Sequence, residues 1–219
     1  SLQVFANGNY TVTLLDNLLI AGAGENLVSV LNNGFVFNAI DGDGDAVAGG
    51  VRVVVNVQDD IPVAVAERLV TATVAENDIR TPLSTGTSPN DGNADGSFTG
   101  DPGQIRGPAT VSGSLASLVS YGADGAAAGG GFGLSTDFAG LTAQNLTSAG
   151  AALSYAVNGN TLTATAGSGT AARTVFTLEV QPNGNYTLRL FDQLDHASGQ
   201  GANNLALDLS SVITATDAD

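Results

Sequence analysis

Asp41-Gly42-Asp43-Gly44-Asp45 sets three carboxylates on alternate positions of a glycine-rich segment, and Asp59-Asp60 follows at the far end of the next apolar run. Two carboxylates about 4 Å apart at an effective dielectric near 20 repel by roughly 4 kcal/mol. Such a cluster needs either wide separation or a cation. Oxygen donors without His or Cys select a hard ion, and flexible glycine-rich loops suit calcium better than magnesium. Asp41, Asp43, Asp45, Asp59 and Asp60 therefore read as Ca2+ ligands rather than as a solvated acidic loop. The pattern recurs at Asp217-Ala218-Asp219. A second segment, Asp91-Gly92-Asn93-Ala94-Asp95-Gly96, opens like an EF-hand loop, with oxygen donors at alternate positions and then a glycine. Its twelfth position is Pro102 instead of Glu, with Asp101 just before it. Asp91, Asn93, Asp95 and Asp101 thus fit two readings, a calcium-ordered loop or an ordinary Asx-rich turn.

Catalytic patterns are weaker. Asp195-His196 stands near Ser198, and His196 is the single histidine, but no nucleophile elbow or oxyanion motif accompanies them. Paired carboxylates suit glycoside hydrolysis, yet without tryptophan the usual sugar-stacking platform is missing. The expectation is a protein that is not an enzyme and has no catalytic residues. Cys, Met, Trp and Lys are all absent, which removes disulfides, thiolate zinc sites and lysine Schiff bases. Six Arg against 21 acids give a net charge of −15, which opposes binding to nucleic acid or anionic membrane. No apolar run approaches the roughly 20 residues that a membrane-spanning helix requires.

The elements that must carry these acids are strands. Seventeen acids are Asp and only four are Glu, and Asp favours turns and metal loops over helices. At 43% hydrophobic and 12% charged, with a mean hydropathy of +0.17, the chain has the composition of a packed domain. Tyr10, Val12 and Leu14 alternate with polar residues, as do Leu153-Tyr155-Val157, Leu162-Ala164-Ala166, Phe176-Leu178-Val180 and Tyr186-Leu188-Leu190. Val51, Val53, Val55 and Val57 line one face of a further strand. Period two with one apolar face describes a half-buried antiparallel strand. Asn-Gly-Asn turns at Asn7, Asn158 and Asn183 join such segments. The predicted fold is all-β, an antiparallel β-sandwich. Tyr10, Tyr155 and Tyr186 are expected in its packing, and the stretch from Ser84 to Gly107 is expected to be a long loop.

The sequence also repeats. Asn7-Gly8-Asn9-Tyr10-Thr11 returns as Asn183-Gly184-Asn185-Tyr186-Thr187, an offset of 176 residues. Leu15-Asp16-Asn17-Leu18 matches Phe191-Asp192-Gln193-Leu194 at the same offset, and after a two-residue gap Leu27 aligns with Leu205. Asp41-Gly42-Asp43 then aligns with Asp217-Ala218-Asp219, so the chain reads as a piece of a tandem array. Asp59-Asp60-Ile61-Pro62 marks the expected boundary. Residues 1–60 would be the C-terminal strands of one β-sandwich repeat and residues 61–219 most of the following one. Alternatively the folding unit is permuted, and the N-terminal strands complete the C-terminal sheet.

Val175-Phe176-Thr177-Leu178, Asn183-Gly184-Asn185-Tyr186-Thr187-Leu188, Leu194-Asp195-His196 and Ile213-Thr214-Ala215-Thr216-Asp217-Ala218-Asp219, taken in order, resemble the long repeats of giant type I secreted RTX-type biofilm adhesins of Gram-negative bacteria. Val119-Ser120-Tyr121-Gly122-Ala123-Asp124-Gly125 and Asp59-Asp60-Ile61-Pro62-Val63-Ala64 fit the same repeat, whereas the glycine-aspartate nonapeptide of RTX proteins is absent. The resemblance implies Ig-like β-sandwich modules in tandem on the outer cell surface, with Ca2+ held at module junctions. It draws those ligands from Asp41, Asp43, Asp45, Asp59 and Asp60, with Asp217 and Asp219 as a weaker first half of the next junction. The implied partners are neighbouring repeats of the same polypeptide, in an otherwise monomeric chain. The expected function is a calcium-stabilised extender that holds distal binding domains away from the cell in biofilm formation. The competing expectation is a ligand-binding domain that contacts a glycan or peptide through calcium.

Overall fold

The structure is a computed structural model that describes residues 1–18, 27–29, 34–46, 51–79, 107–196 and 204–218. The chain is all-β and antiparallel, with one five-residue α-helix among the described residues. Its contacts divide it into two units. The first comprises residues 1–63, 121–127 and 216–219, and the second residues 64–120 and 128–215. The expected loop from Ser84 to Gly107 lies almost entirely outside the described residues.

Strands β1 (Leu2–Val4), β2 (Tyr10–Val12), β3 (Leu27–Ser29), β4 (Phe35–Phe37), β5 (Val51–Val53) and β6 (Asn56–Gln58) belong to the first unit. The two-residue strand β7 (Val63–Ala64) stands at the division. The second unit contains β8 (Ala109–Ser114), β9 (Val119–Ser120), β10 (Phe132–Leu134), α1 (Ala139–Ala143) and β11 (Thr147–Ser148). It continues with β12 (Ala151–Asn158), β13 (Thr161–Ala166), β14 (Arg173–Val180), β15 (Asn185–Leu190) and β16 (Ile213–Ala215).

One sheet dominates the second unit, in the order β11-β12-β13-β14-β15-β8. Alternation explains its burial: Leu162, Ala164 and Ala166 of β13 are fully buried, and Phe176, Leu178 and Val180 follow the same parity on β14. Each large aliphatic or aromatic side chain enclosed in this way contributes about 1.5–3 kcal/mol. Leu141 of α1 and Val212, just before β16, are buried as well. The ladder between β13 and β14 shifts at Ala164/Thr165, where Thr165 faces Thr174 and Ala164 faces Phe176. Val175 is thus the extra residue of a β-bulge. Its carbonyl accepts the N–H groups of Phe191 (2.7 Å) and Asp192 (3.3 Å), which fixes the segment after β15 beside β14.

In the first unit, β1 pairs β2, β3 pairs β6 and β4 pairs β5. The valine run, expected as one strand, is two. Residues 51–53 pair with Phe35–Phe37 and residues 56–58 with Leu27–Ser29. The face assignment survives the division, because Val53, Val55 and Val57 are half-buried while Arg52, Val54, Asn56 and Gln58 are exposed. Alternation reports the face of a strand but not which neighbour it pairs with.

The repeat is visible at atomic detail. In the first unit Phe5 N–H donates to Asn9 C=O (2.8 Å) and Gly8 N–H to Phe5 C=O (3.0 Å). At an offset of 176, Gln181 N–H donates to Asn185 C=O (2.8 Å) and Gly184 N–H to Gln181 C=O (2.8 Å). Asn7 and Asn183 each accept, through Oδ1, the N–H two residues on (3.1 and 3.0 Å). Gly8 and Gly184 sit at φ +88° and +85°, the left-handed position that closes a three-residue hairpin loop. The strands follow suit: Leu2 faces Val12 as Leu178 faces Leu188, and Val4 faces Tyr10 as Val180 faces Tyr186.

Candidate metal centre

Asp41 organises its own loop. Its Oδ1 accepts the N–H groups of Asp43 (3.3 Å), Gly44 (3.1 Å) and Asp45 (2.9 Å). Asp41 N–H donates to Asp45 C=O (3.0 Å), and Gly44, at φ +106°, takes the residue that must turn left-handed. Asp41, Asp43 and Asp45 are exposed, and each offers a carboxylate oxygen within 4.8 Å of the other two. The hydrogen bond shared with the Asp43 side chain, followed by the backbone donors, holds the Asp41 carboxyl below the usual carboxylate range.

A second group assembles Asp59, Asp60 and Asp124, again with one oxygen from each inside a 4.8 Å set. Asp59 continues the inward parity of Val53, Val55 and Val57 and is 6% exposed. Asp60 Oδ2 accepts the N–H of Ala123 (2.7 Å), and Asn17 Nδ2 donates to Asp124 Oδ1 (2.8 Å). Between them Gly122 adopts φ +70°, and a Cβ there would lie 1.6 Å from Asp60 Oδ2. Only glycine lets this turn close on the carboxylate. Two oxygens bound to one calcium at about 2.4 Å are at most about 4.8 Å apart, so both groups have the donor type and spacing for a hard divalent cation.

The candidate ligands therefore fall in two clusters: Asp41, Asp43 and Asp45 form one, while Asp59 and Asp60 form the other with Asp124. Sequence reading missed Asp124, which stands far from Asp60 in the chain. Its one local signal is the turn Gly122-Ala123-Asp124-Gly125. Asp217 is bridged through its backbone to Ala126, two residues beyond Asp124. Asp91, Asn93, Asp95, Asp101 and Asp219 lie outside the described residues.

Asp195 and His196 have separate tasks in the second unit. Asp195 Oδ2 accepts Thr147 Oγ1–H (2.7 Å) and Gly150 N–H (2.7 Å), and its Oδ1 accepts Ala149 N–H (2.9 Å). The Gly150 N–H, then the Thr147 hydroxyl, the Ala149 N–H and the Arg173 charge hold the Asp195 carboxyl low. It clasps the two-residue turn between β11 and β12. His196 Nε2 faces Glu76 Oε2 at 3.9 Å, and Glu76 Oε1 accepts Leu194 N–H (2.6 Å). Asp192 is fully buried against the Arg173 guanidinium Nε, and Arg173 Nη2 also reaches Ser148 C=O (2.6 Å) and Oγ (3.1 Å). The Asp-Gln-Leu-Asp-His run thus ties the β15 exit to β11, β14 and Glu76.

The sequence profile described as "Domain of unknown function (DUF5801)" matches residues 71–219, which is more than half of the chain. The chain belongs to this family. The DUF5801 match takes in the Asp-Gln-Leu-Asp-His run and Asp124, and it starts beyond β1–β7 and beyond both Asp41-Gly42-Asp43-Gly44-Asp45 and Asp59-Asp60. Comparison with curated proteins and with solved structures returned no match.

Proposed function

We propose that this chain is a calcium-stabilised extender segment of a large, type I secreted surface adhesin of a Gram-negative bacterium. It works outside the cell as part of an array of Ig-like β-sandwich repeats and holds distal binding domains away from the surface. The observation that carries this reading is the convergence of Asp59, Asp60 and Asp124, one of them buried, around a glycine turn where a Cβ would displace the Asp60 carboxylate. The carboxylates of that group would hold one ion, and those of Asp41, Asp43 and Asp45 another. When bound, calcium supplies positive charge that neutralises their repulsion and cross-links segments distant in sequence. The internal repeat supports the tandem arrangement, since one turn and its strand register recur 176 residues apart.

Extracellular calcium modules bind with dissociation constants of about 10⁻⁴–10⁻³ M. At tenfold excess over that constant, one site stabilises the bound state by about 1.4 kcal/mol. Calorimetric titration of calcium into the 219-residue chain tests the reading, with an Asp60→Asn/Asp124→Asn variant alongside. Binding in that range, weakened or lost in the variant, is expected. An absence of calcium heat at millimolar concentration would refute it.

A further inference from the structure

The two copies of the repeated hairpin have the same backbone and opposite surroundings. Val180 of β14 is fully buried and Leu190 of β15 is 3% exposed, whereas their equivalents Val4 and Leu14 are 47% and 55% exposed. Leu194 is 9% exposed and its equivalent Leu18 is 37%. Asp192 is fully buried on Arg173, while its equivalent Asp16 is exposed. Both nevertheless keep the same local bond, accepting the next residue's N–H through Oδ1 (3.0 and 2.9 Å). What differs is the company of the hairpin. β14 pairs with β13 and β15 with β8, but β1 and β2 pair only with each other among the described residues.

We propose that β1–β2 is the receiving edge for a further copy of residues 107–176, carried ahead of Ser1 in the same polypeptide. That copy would set its β8 beside β2 and its β13 beside β1, and bring its Arg173 to Asp16. The register follows from the second unit, where Ser112 faces Thr187 and their hydroxyl oxygens are 3.0 Å apart. Thr187 is equivalent to Thr11. Complementation of this kind gives the hairpin main-chain hydrogen bonds at both edges, apolar cover for Val4, Leu14 and Leu18, and a cation for the exposed carboxylate of Asp16. Each sandwich of the array would then span two sequence repeats, and neighbouring repeats could not separate without unzipping strands. The inference rests on the tandem arrangement proposed above, not on its metal.

The test extends the 219-residue chain by residues 107–176 joined directly to Ser1, which continues the natural repeat because Ser1 is equivalent to Thr177. The sequence has no cysteine, so Ser112→Cys in the added copy and Thr11→Cys make a defined pair. An intrachain disulfide is expected, with little from Thr110→Cys in the added copy, whose partner in this register is Thr13. Equal linking by both pairs, or linking only between chains, would overturn the proposal. In the unextended chain, β1–β2 amides should exchange about a hundredfold or more faster than β14–β15 amides. Equal protection in the monomer would overturn it, as would protection that rises with concentration, which would make a second copy the occupant. Both measurements are run in chelator and in calcium. Failure to link while calcium still binds rejects strand sharing alone, and linking without calcium binding rejects the metal alone.

Discussion

Asp192 and Asp195 are three residues apart and do different physical work. Asp192 is enclosed, with Arg173 as its counter-charge, so truncating the cation leaves a buried carboxylate that keeps the Gln193 N–H but loses the guanidinium. Arg173→Ala is expected to cost about 3–5 kcal/mol, a large share of the roughly 5–15 kcal/mol that a domain possesses. A denaturant titration of the second unit measures it, and a double Arg173→Ala/Asp192→Ala variant should recover part of the loss. Asp195 is exposed and acts through three donors that favour its ionised form. Its folded pKa lies below the ordinary 3.8. The associated stability is therefore full above the unfolded value and disappears as the pH falls below about 4 through the folded value. Unfolding followed across that range should show a smaller acid-limb slope in Asp195→Asn. Neither role was legible in the sequence. Asp195-His196 stood out as a pair of chemical groups, but their partners Thr147, Gly150 and Glu76 are distant along the chain.

Strands and turns were the most readable elements, because they depend on neighbours along the chain. The faces of β12, β13 and β14 follow the alternation, and the hairpin at Asn158 places Gly159 at φ +56° in the first central position, where type II′ turns put glycine. The β11–β12 turn breaks the usual pattern, with Ala149 at φ +47° ahead of Gly150 at φ +75°. A type I′ turn requires positive φ at both central residues and favours Asn-Gly. Ala149→Asn should raise the melting temperature and stabilise by about 0.5–1 kcal/mol, since alanine resists the left-handed region. An unchanged or lowered melting temperature would show that the Asp195 clasp, rather than the local preference, sets the turn. Long-range choices left no such mark. The valine run changes partners between Val53 and Asn56 without a break in parity, and Asp59 belongs to the inward series although two adjacent acids read as a terminus. The same continuation of parity would have singled out Asp59 as the buried member of its pair. Nothing local could have joined Asp124 to it.

At the scale of the molecule, apolar burial is unevenly shared. Among the described residues the buried hydrophobic ones, from Ile79 to Val212, lie in the second unit, while Val4, Leu15, Leu27, Val36 and Ile40 of the first are 47%, 78%, 65%, 58% and 67% exposed. Hydrophobic burial is the main favourable term in folding, so the two units should differ widely in local stability. Both aspartate clusters also belong to the first unit. With a net charge of −15, the chain repels itself most where its carboxylates converge. Hydrogen exchange should therefore divide the molecule. Amides of β13 and β14 should open only with global unfolding of their unit, and those of β3–β6 at far lower cost. Calcium should slow exchange in β4–β6 and around residues 121–127 while leaving β13–β14 unchanged. Monovalent salt at equal ionic strength should produce only a small part of that effect, because screening weakens repulsion without bridging ligands. Uniform slowing across both units, or equal responses to sodium and calcium, would mean that charge alone governs the first unit and that its carboxylates hold no ion.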